Sequence, residues 1–312
     1  MANNKNNHQK RNETKIKCSS LNICGLSDRS IFALNKFIED ENIAILALQE
    51  TGAFCSDSHE LANMNMIMDT NKSANKGVVL YVNDKYTITK LDEISKISKK
   101  MDSCWGLVIV EKKRYIIGNV YVKLNYNQAM NDISKMLTAA EEMQKKHKAS
   151  GIILTGDFNA RHQSWGDKMN NNYGNKLVDT VDFYKYSIST SKTPTFLCSN
   201  GSSFIALFII SNGIAETLND CYTNEEVELF SGSPQRGHVP VIIELLISSN
   251  ALNFPVVEKL DIESMKWADW EQHIEERINN EHNIFDTEND PDTLWSKLDE
   301  IITEATSIIL RY

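Results

Sequence analysis

A chain of 312 residues with 41% hydrophobic and 24% charged side chains can bury a sizeable core, as one large domain with an appendage or as two domains. No window is apolar for long enough to cross a bilayer, and the N-terminus lacks the apolar stretch of a signal peptide, so an intracellular protein with no membrane partner is expected. The net charge of −9 argues against an evenly basic nucleic-acid binder, but it is unevenly placed: residues 251–312 hold 5 Lys and Arg against 15 Asp and Glu, which leaves 28 against 27 in residues 1–250.

Residues 1–14, rich in Asn and Lys, read as a disordered basic arm, and order is expected from Lys15. Ile16 to Ile23 reads as a strand ending at the Cys24-Gly25 turn, with Asn22 near its tip. With Ser27 or Asp28 as N-cap, Ile31, Leu34, Phe37 and Ile38 share one helical face, and the pattern stops before Asn42. The apolar run Ile43 to Leu48 then leads into Gln49-Glu50-Thr51-Gly52, so a βαβ unit is expected with polar residues at the same end of both strands. Four strands follow, at 77–82, 86–91, 104–111 and 115–122. Their short polar links predict antiparallel neighbours.

Asn127 to Lys148 carries Ala129, Ile133, Met136, Leu137, Ala140 and Met143 on one helical face. It hands over to the unbroken run Gly151-Ile152-Ile153-Leu154-Thr155-Gly156-Asp157-Phe158-Asn159-Ala160, which reads as a fully buried strand with polar groups at its tip. Asp157 and Asn159 lie two apart, so they point to one side while Phe158 turns into the core. A polar loop over 161–172, a helix around 174–183 and strands at 204–211 and 239–245 complete this part. The six cysteines, Cys18, Cys24, Cys55, Cys104, Cys198 and Cys221, form no Cys-X-X-Cys pair, so they read as small buried residues rather than as a disulfide framework or zinc site. After Asn250, Trp267-Ala268-Asp269-Trp270 opens one amphipathic helix and Asp292-Thr293-Leu294-Trp295 another, with the acidic stretch 279–290 between them. Their apolar faces need a partner, which suggests a linker of a longer polypeptide.

Singly, each polar strand end has a plain reading: Asn22 a turn former, Glu50 a solvated strand end, Tyr121 a core residue with a wet hydroxyl, Asp157 and Asn159 an Asp-X-Asn turn, His238 a surface imidazole. Taken together, Leu21-Asn22-Ile23-Cys24-Gly25-Leu26, Leu48-Gln49-Glu50-Thr51, Gly118-Asn119-Val120-Tyr121, Gly156-Asp157-Phe158-Asn159-Ala160 and Gly237-His238-Val239-Pro240-Val241 occur in the order of the exonuclease-endonuclease-phosphatase family. The set resembles, more narrowly, the apurinic-type endonuclease of non-LTR retrotransposon polyproteins, over roughly residues 15–247. The Trp267-Ala268-Asp269-Trp270 segment is similar to the linker between such an endonuclease and a reverse transcriptase.

The resemblance implies an α/β (α+β) fold of the deoxyribonuclease I-like, four-layered kind, two mixed β-sheets packed face to face with helices outside. It implies an endonuclease domain over 15–248 and a helical acidic linker over 249–312. The implied activity is a Mg²⁺-dependent (or Mn²⁺-dependent) nick in double-stranded target DNA that primes reverse transcription, in the nucleus, with the reverse transcriptase domain of the same polyprotein as partner. By the same resemblance Glu50 holds the metal with Asn22 beside it, Asp157 orients or deprotonates the attacking water, and Asn159 donates to a phosphoryl oxygen. Tyr121 sits near the phosphate, and His238 acts as general base or phosphoryl donor. Two positions depart from the family pattern: Ala206 stands where an Asp orients the histidine, and Gly237 where an acidic residue precedes it. They imply an impaired enzyme, and they leave open a catalytically silent DNA-targeting module or another phosphodiesterase or phosphatase of the same fold.

Overall fold

The computed structural model describes residues 13–52, 60–68, 77–224, 237–248 and 267–280, together with 293–295, 297–298 and 300–302. Of the disordered arm expected over residues 1–14, residues 1–12 lie outside them, and residues 13 and 14 belong to a strand. The chain divides into two compact units, Met1–Ala251 and Leu252–Tyr312.

The first unit opens with β1 (Glu13–Asn22), α1 (Asp28–Glu41) and β2 (Ile43–Gln49). Ser27 caps α1 by accepting from Ser30 N, and Asn42 ends it in the left-handed conformation, as a short Asx side chain can. β1 and β2 pair in parallel, so this is the expected βαβ unit, although β1 spans Glu13–Asn22 rather than Ile16 to Ile23. β3 (Met64–Met68) and β4 (Val78–Asn83) extend the sheet beyond β2, and β15 (Val241–Ser248) and β13 (Leu218–Thr223) extend it beyond β1. The resulting order is β13-β15-β1-β2-β4-β3.

The second sheet repeats the plan. β5 (Thr87–Lys90), β6 (Asp102–Val110) and β7 (Lys113–Tyr121) form an antiparallel meander, α3 (Ala129–His147) crosses over, and β8 (Gly151–Asp157) returns parallel to β7. β12 (Ala206–Ile210) and β9 (Ser187–Ser189) complete the order β5-β6-β7-β8-β12-β9. The expectation that the four middle strands are all antiparallel neighbours is corrected here: β4 and β5 belong to different sheets, because the short link between them turns from one layer to the other instead of closing a hairpin. A third, small sheet joins β11 (Gly201–Ser203), β10 (Phe196–Cys198) and β14 (Gly237–His238). Sequence reading missed these three-residue and two-residue strands, β9 and the one-turn helices α2 (Asp92–Ser95) and α5 (Asn212–Ala215), all too short to show a period, and it missed β3 and β13, edge strands with no fully buried residue.

Both sheets are covered on both faces, which is why β2 and β8 are buried throughout and read as continuous apolar runs. Between the sheets, Cys18, Ala47, Leu80 and Val82 meet Cys104, Val108, Ile117, Ile153 and Phe208. Leu34, Phe37 and Ile38 of α1 cover the outer face of the first sheet. Ile133, Met136 and Leu137 of α3, with Leu177 and Val181 of α4 (Asn172–Tyr184), cover the outer face of the second. This is the α/β four-layered, deoxyribonuclease I-like sandwich with two mixed sheets and helices outside.

In the second unit, α6 (Trp267–Asn280) forms where the tryptophan pair predicted it, and residues 293–295, 297–298 and 300–302 are helical. Ile301 is buried there, whereas Trp295 is 69% exposed. Residues 281–292, with most of the acidic stretch, lie outside the described residues.

Candidate active site

The two βαβ units end at one edge of the sandwich, where open α/β sheets present loops to solvent at the carboxyl ends of parallel strands. β1 brings Asn22 and β2 leads to Glu50; β7 brings Tyr121 and β8 brings Asp157. The side chains meet across the two sheets. Asn22 Nδ2 donates to Glu50 Oε1 at 3.1 Å and to Asp157 Oδ2 at 2.9 Å. Tyr121 donates its hydroxyl to Glu50.

The plain reading of these residues as turn formers also holds. Asn22 Oδ1 accepts from Cys24 N at 3.1 Å, and Asp157 Oδ1 accepts from Asn159 N at 3.0 Å, an i to i+2 Asx turn in each case. Cys24, Glu50 and Asn159 all follow with positive φ, so each strand turns sharply outward at the site. Asn159 Nδ2 donates to Val122 O at 2.8 Å, and its own carbonyl accepts from Asn171 Nδ2 at 2.8 Å. Gly156, at φ +146°, allows the close approach of β8 to β7, since a Cβ there would run into the Val120 carbonyl.

His238 arrives from the small sheet. Its ring packs 4.7 Å from that of Phe196, and its Nδ1 lies 3.9 Å from Asp157 Oδ2, too far for a hydrogen bond. That Nδ1 is buried with no hydrogen-bond partner among the described residues. Ala206 pairs directly with Asp157 across β12 and β8, so its methyl group stands on the same face, where a carboxylate would reach toward the imidazole. Gly237 has φ +138°, a backbone that suits glycine and strains any other residue.

Electrostatics follow from burial. Burial raises the Asp157 carboxyl to about 6; the amide of Asn22 and the N–H of Asn159 oppose that rise, and the nearby Glu50 charge adds to it. Burial pushes the His238 imidazole down to about 4, outweighing the pull of Glu50, so the ring is neutral near pH 7. The Tyr121 phenol is raised well above its ordinary range by burial first, then by its bond to Glu50 and the carboxylates around it, and so remains a donor.

The structure therefore brings Asn22, Glu50, Tyr121, Asp157, Asn159 and His238 to one edge. Glu50 is half-buried and bonded by Asn22 and Tyr121, a carboxylate of the kind Mg²⁺ takes together with water and phosphate oxygens. Asn22 turns its NH₂ to the carboxylates and its oxygen to Cys24, so in this geometry it would support a cation by holding Glu50 rather than as a ligand. Among the described residues no group of three or more His, Cys, Asp or Glu could hold a metal.

Sequence reasoning missed the supports. Asn119 sits fully buried between the sheets, donating to Leu48 O and Val79 O at 2.9 Å each and accepting from Gln49 Nε2 at 2.7 Å. Thr195 Oγ1 accepts from both Ile205 N and Ala206 N, and its carbonyl accepts from Val239 N, tying β12 to the strand of His238. A carboxamide inside the apolar run of β7 was a readable signal for Asn119. Thr195 had none.

The family model described as endonuclease-reverse transcriptase matches residues 115–233. No curated protein matches the chain. Among solved structures, the endonuclease domain of TRAS1, a telomere-specific non-LTR retrotransposon, has a TM-score of 0.59 at 12% identity, covering 76% of this chain and 100% of that one. The AP endonuclease LMAP from Leishmania major has a TM-score of 0.59 at 14% identity, covering 74% and 88%. A 3′ phosphatase from Neisseria, bound to a product DNA hairpin, has a TM-score of 0.52 at 15% identity, covering 74% and 99%. At such identities the likeness is one of fold. The family match covers residues 115–233, and the fold around them is the one that these endonucleases and the phosphatase share.

Proposed function

We propose that this chain is a Mg²⁺-dependent endonuclease that nicks double-stranded DNA, that its nick primes reverse transcription, and that it works below the capacity of its fold. One observation carries the reading: a single amide, Asn22 Nδ2, bridges Glu50 and Asp157, so a cation-side carboxylate and a buried water-side carboxylate are held in fixed relation at the mouth of the sandwich. Bound at Glu50, a divalent ion would supply charge neutralisation for the phosphate.

The protein's own groups have these tasks. Asp157, raised to about 6, is ionised at neutral pH yet basic enough to take a proton from the attacking water. Tyr121 keeps its proton and fixes Glu50. Asn159 is pinned through Val122 O and has one further amide hydrogen for a phosphoryl oxygen. The neutral His238 is a donor to the developing charge, with its ring packed on Phe196, but among the described residues no hydrogen bond to its Nδ1 sets the tautomer. Ala206 and Gly237 are the reason we infer reduced activity.

The TRAS1 likeness and the family description support a role beside a reverse transcriptase, with residues 249–312 as the helical, acidic connection and the nucleus as the place of work. The test is nicking of supercoiled plasmid with Mg²⁺ or Mn²⁺ and with EDTA, in the parent and in Glu50→Gln. Slow metal-dependent nicking, absent in Glu50→Gln, is expected. Nicking that persists in EDTA would overturn the reading. The lack of a hydrogen-bond partner for His238 Nδ1 among the described residues also favours a second reading, a silent DNA-targeting module; duplex binding without nicking in any metal would select it.

A further inference from the structure

The end of the second sheet remote from the candidate site carries charge that the proposed nicking does not use. There the turn between β6 and β7 meets the last turn of α3: Arg114 Nη1 donates to His147 O at 3.3 Å, and Ser150 N donates to Arg114 O at 2.7 Å. The junction gathers Lys112, Lys113, Arg114, Lys145, Lys146 and Lys148. Residues 111–114 and 142–148 hold these six cations against Glu111 and Glu142. All but Lys113 are exposed, and among the described residues none of them has an ion pair, whereas Lys15, Lys17, Lys90, Lys123 and Arg161 each face a carboxylate.

The helix dipole favours cations in the last turn of α3, which is the plain reading of Lys145 and Lys146. It does not account for Lys112 and Lys113, nor for the backbone. Among the described residues, those with positive φ other than Gly and Asn are Cys24 and Glu50 at the candidate site, and Glu111, Lys112, Lys148 and Lys185. Glu111 and Lys112 are the central residues of the hairpin turn, at φ +48° and +68°, where Asn-Gly is the least strained filling. Lys148 and Lys185 cap α3 and α4 at φ +51° and +56°, where glycine is usual. Tyr186, next to Lys185, donates its hydroxyl to Glu141 at 3.4 Å, so the end of α4 lies against the last turns of α3. Lysine thus stands at three left-handed positions that favour glycine, and what it keeps there is charge.

β7 runs nine residues from Lys113 to Tyr121, so this surface lies about 26 Å from the candidate site along the strand. A duplex lying across the catalytic edge would have to turn back around the protein to touch it, against a persistence length of about 150 base pairs. The aromatic residues beside the turn, Tyr86 and Tyr115, are buried, so the six cations offer charge to phosphates and offer bases no ring to stack on. We propose that Lys112, Lys113, Arg114, Lys145, Lys146 and Lys148 form a second nucleic-acid surface, which holds a segment of RNA or DNA by its phosphates, without sequence preference, at the end of the sandwich opposite the candidate active site. It goes beyond the nicking reading and does not depend on it.

The test follows the fluorescence anisotropy of an end-labelled RNA hairpin and, separately, of an end-labelled DNA duplex against salt, with the full chain in EDTA. Lys113→Gln with Lys145→Gln and Lys146→Gln should weaken binding by about tenfold at low salt and lower the slope of log affinity against log salt by about 2 to 3. The probe that loses affinity identifies RNA, DNA or both as the ligand. Lys112→Gly with Lys148→Gly should also weaken binding, yet melt at the parent's temperature or above, because glycine fits both backbones. Affinity and slope equal to the parent's in both variants would overturn the proposal, as would a parent that binds neither probe. Binding of phosphatidylserine vesicles in place of both probes would overturn it too, and make the surface a membrane contact. None of these results touches the plasmid-nicking test, which reads the other end.

Discussion

Asp157 is nearly fully buried, faces Glu50 through Asn22, and holds its proton to about pH 6. A carboxyl raised in the folded state contributes stability that is present below its unfolded value and lost as pH rises through the folded one. Asp157→Asn should therefore match the parent's stability near pH 4 and exceed it at pH 8 by about 1–3 kcal/mol, while nicking falls about 10²- to 10⁴-fold. Urea unfolding at both pH values checks the sign, and equal stability at both would contradict it. A second residue prediction concerns Ala206. Ala206→Asp would place a carboxylate opposite Asp157 and near the unpartnered His238 Nδ1, so single-turnover nicking should rise within about the same 10²- to 10⁴-fold range. The new carboxylate also adds like charge beside Asp157, so stability should fall at alkaline pH. The gain should disappear when His238→Ala is added; a gain that survives would disconnect residue 206 from the histidine. Gly237 offers no such repair, because its φ of +138° would strain an aspartate.

At the scale of elements, the two βαβ units are joined by Asn119, whose amide on β7 serves carbonyls of β2 and β4 in the other sheet. Asn119→Ala leaves the carbonyls of Leu48 and Val79 buried without that donor and should cost about 2–4 kcal/mol of unfolding free energy. Denaturant titration measures it; a loss near zero would mean that water or another donor replaces the amide. The elements that position the site were legible because they are long: β1, α1, β2, α3 and β8 each carry a full periodic or continuous apolar pattern, and Asn22, Glu50 and Asp157 stand where those patterns stop. What was not legible depends on partners distant in sequence. The link between Asn83 and Thr87 reads as a hairpin, and only the pairing of β4 with β2 and β3, and of β5 with β6, shows that it changes layer. His238 was readable as a residue, but that its Nδ1 has no hydrogen-bond partner among the described residues follows from packing alone.

At the scale of the whole molecule, the division of the chain near residue 251 coincides with the change from balanced to strongly acidic sequence. The first unit presents one edge with two carboxylates fixed by one amide and a neutral imidazole beyond them. No helix among the described residues is long and apolar enough to cross a membrane. The central claim is that this edge hydrolyses a DNA phosphodiester and leaves a primer end. It is tested most directly by incubating supercoiled plasmid with the chain in Mg²⁺ and then offering the product to a DNA polymerase. The account predicts nicked circles that the polymerase extends, formed slowly by the parent, faster by Ala206→Asp and not at all by Glu50→Gln. Plasmid left intact by both the parent and Ala206→Asp, or nicks that Glu50→Gln makes equally well, would contradict it.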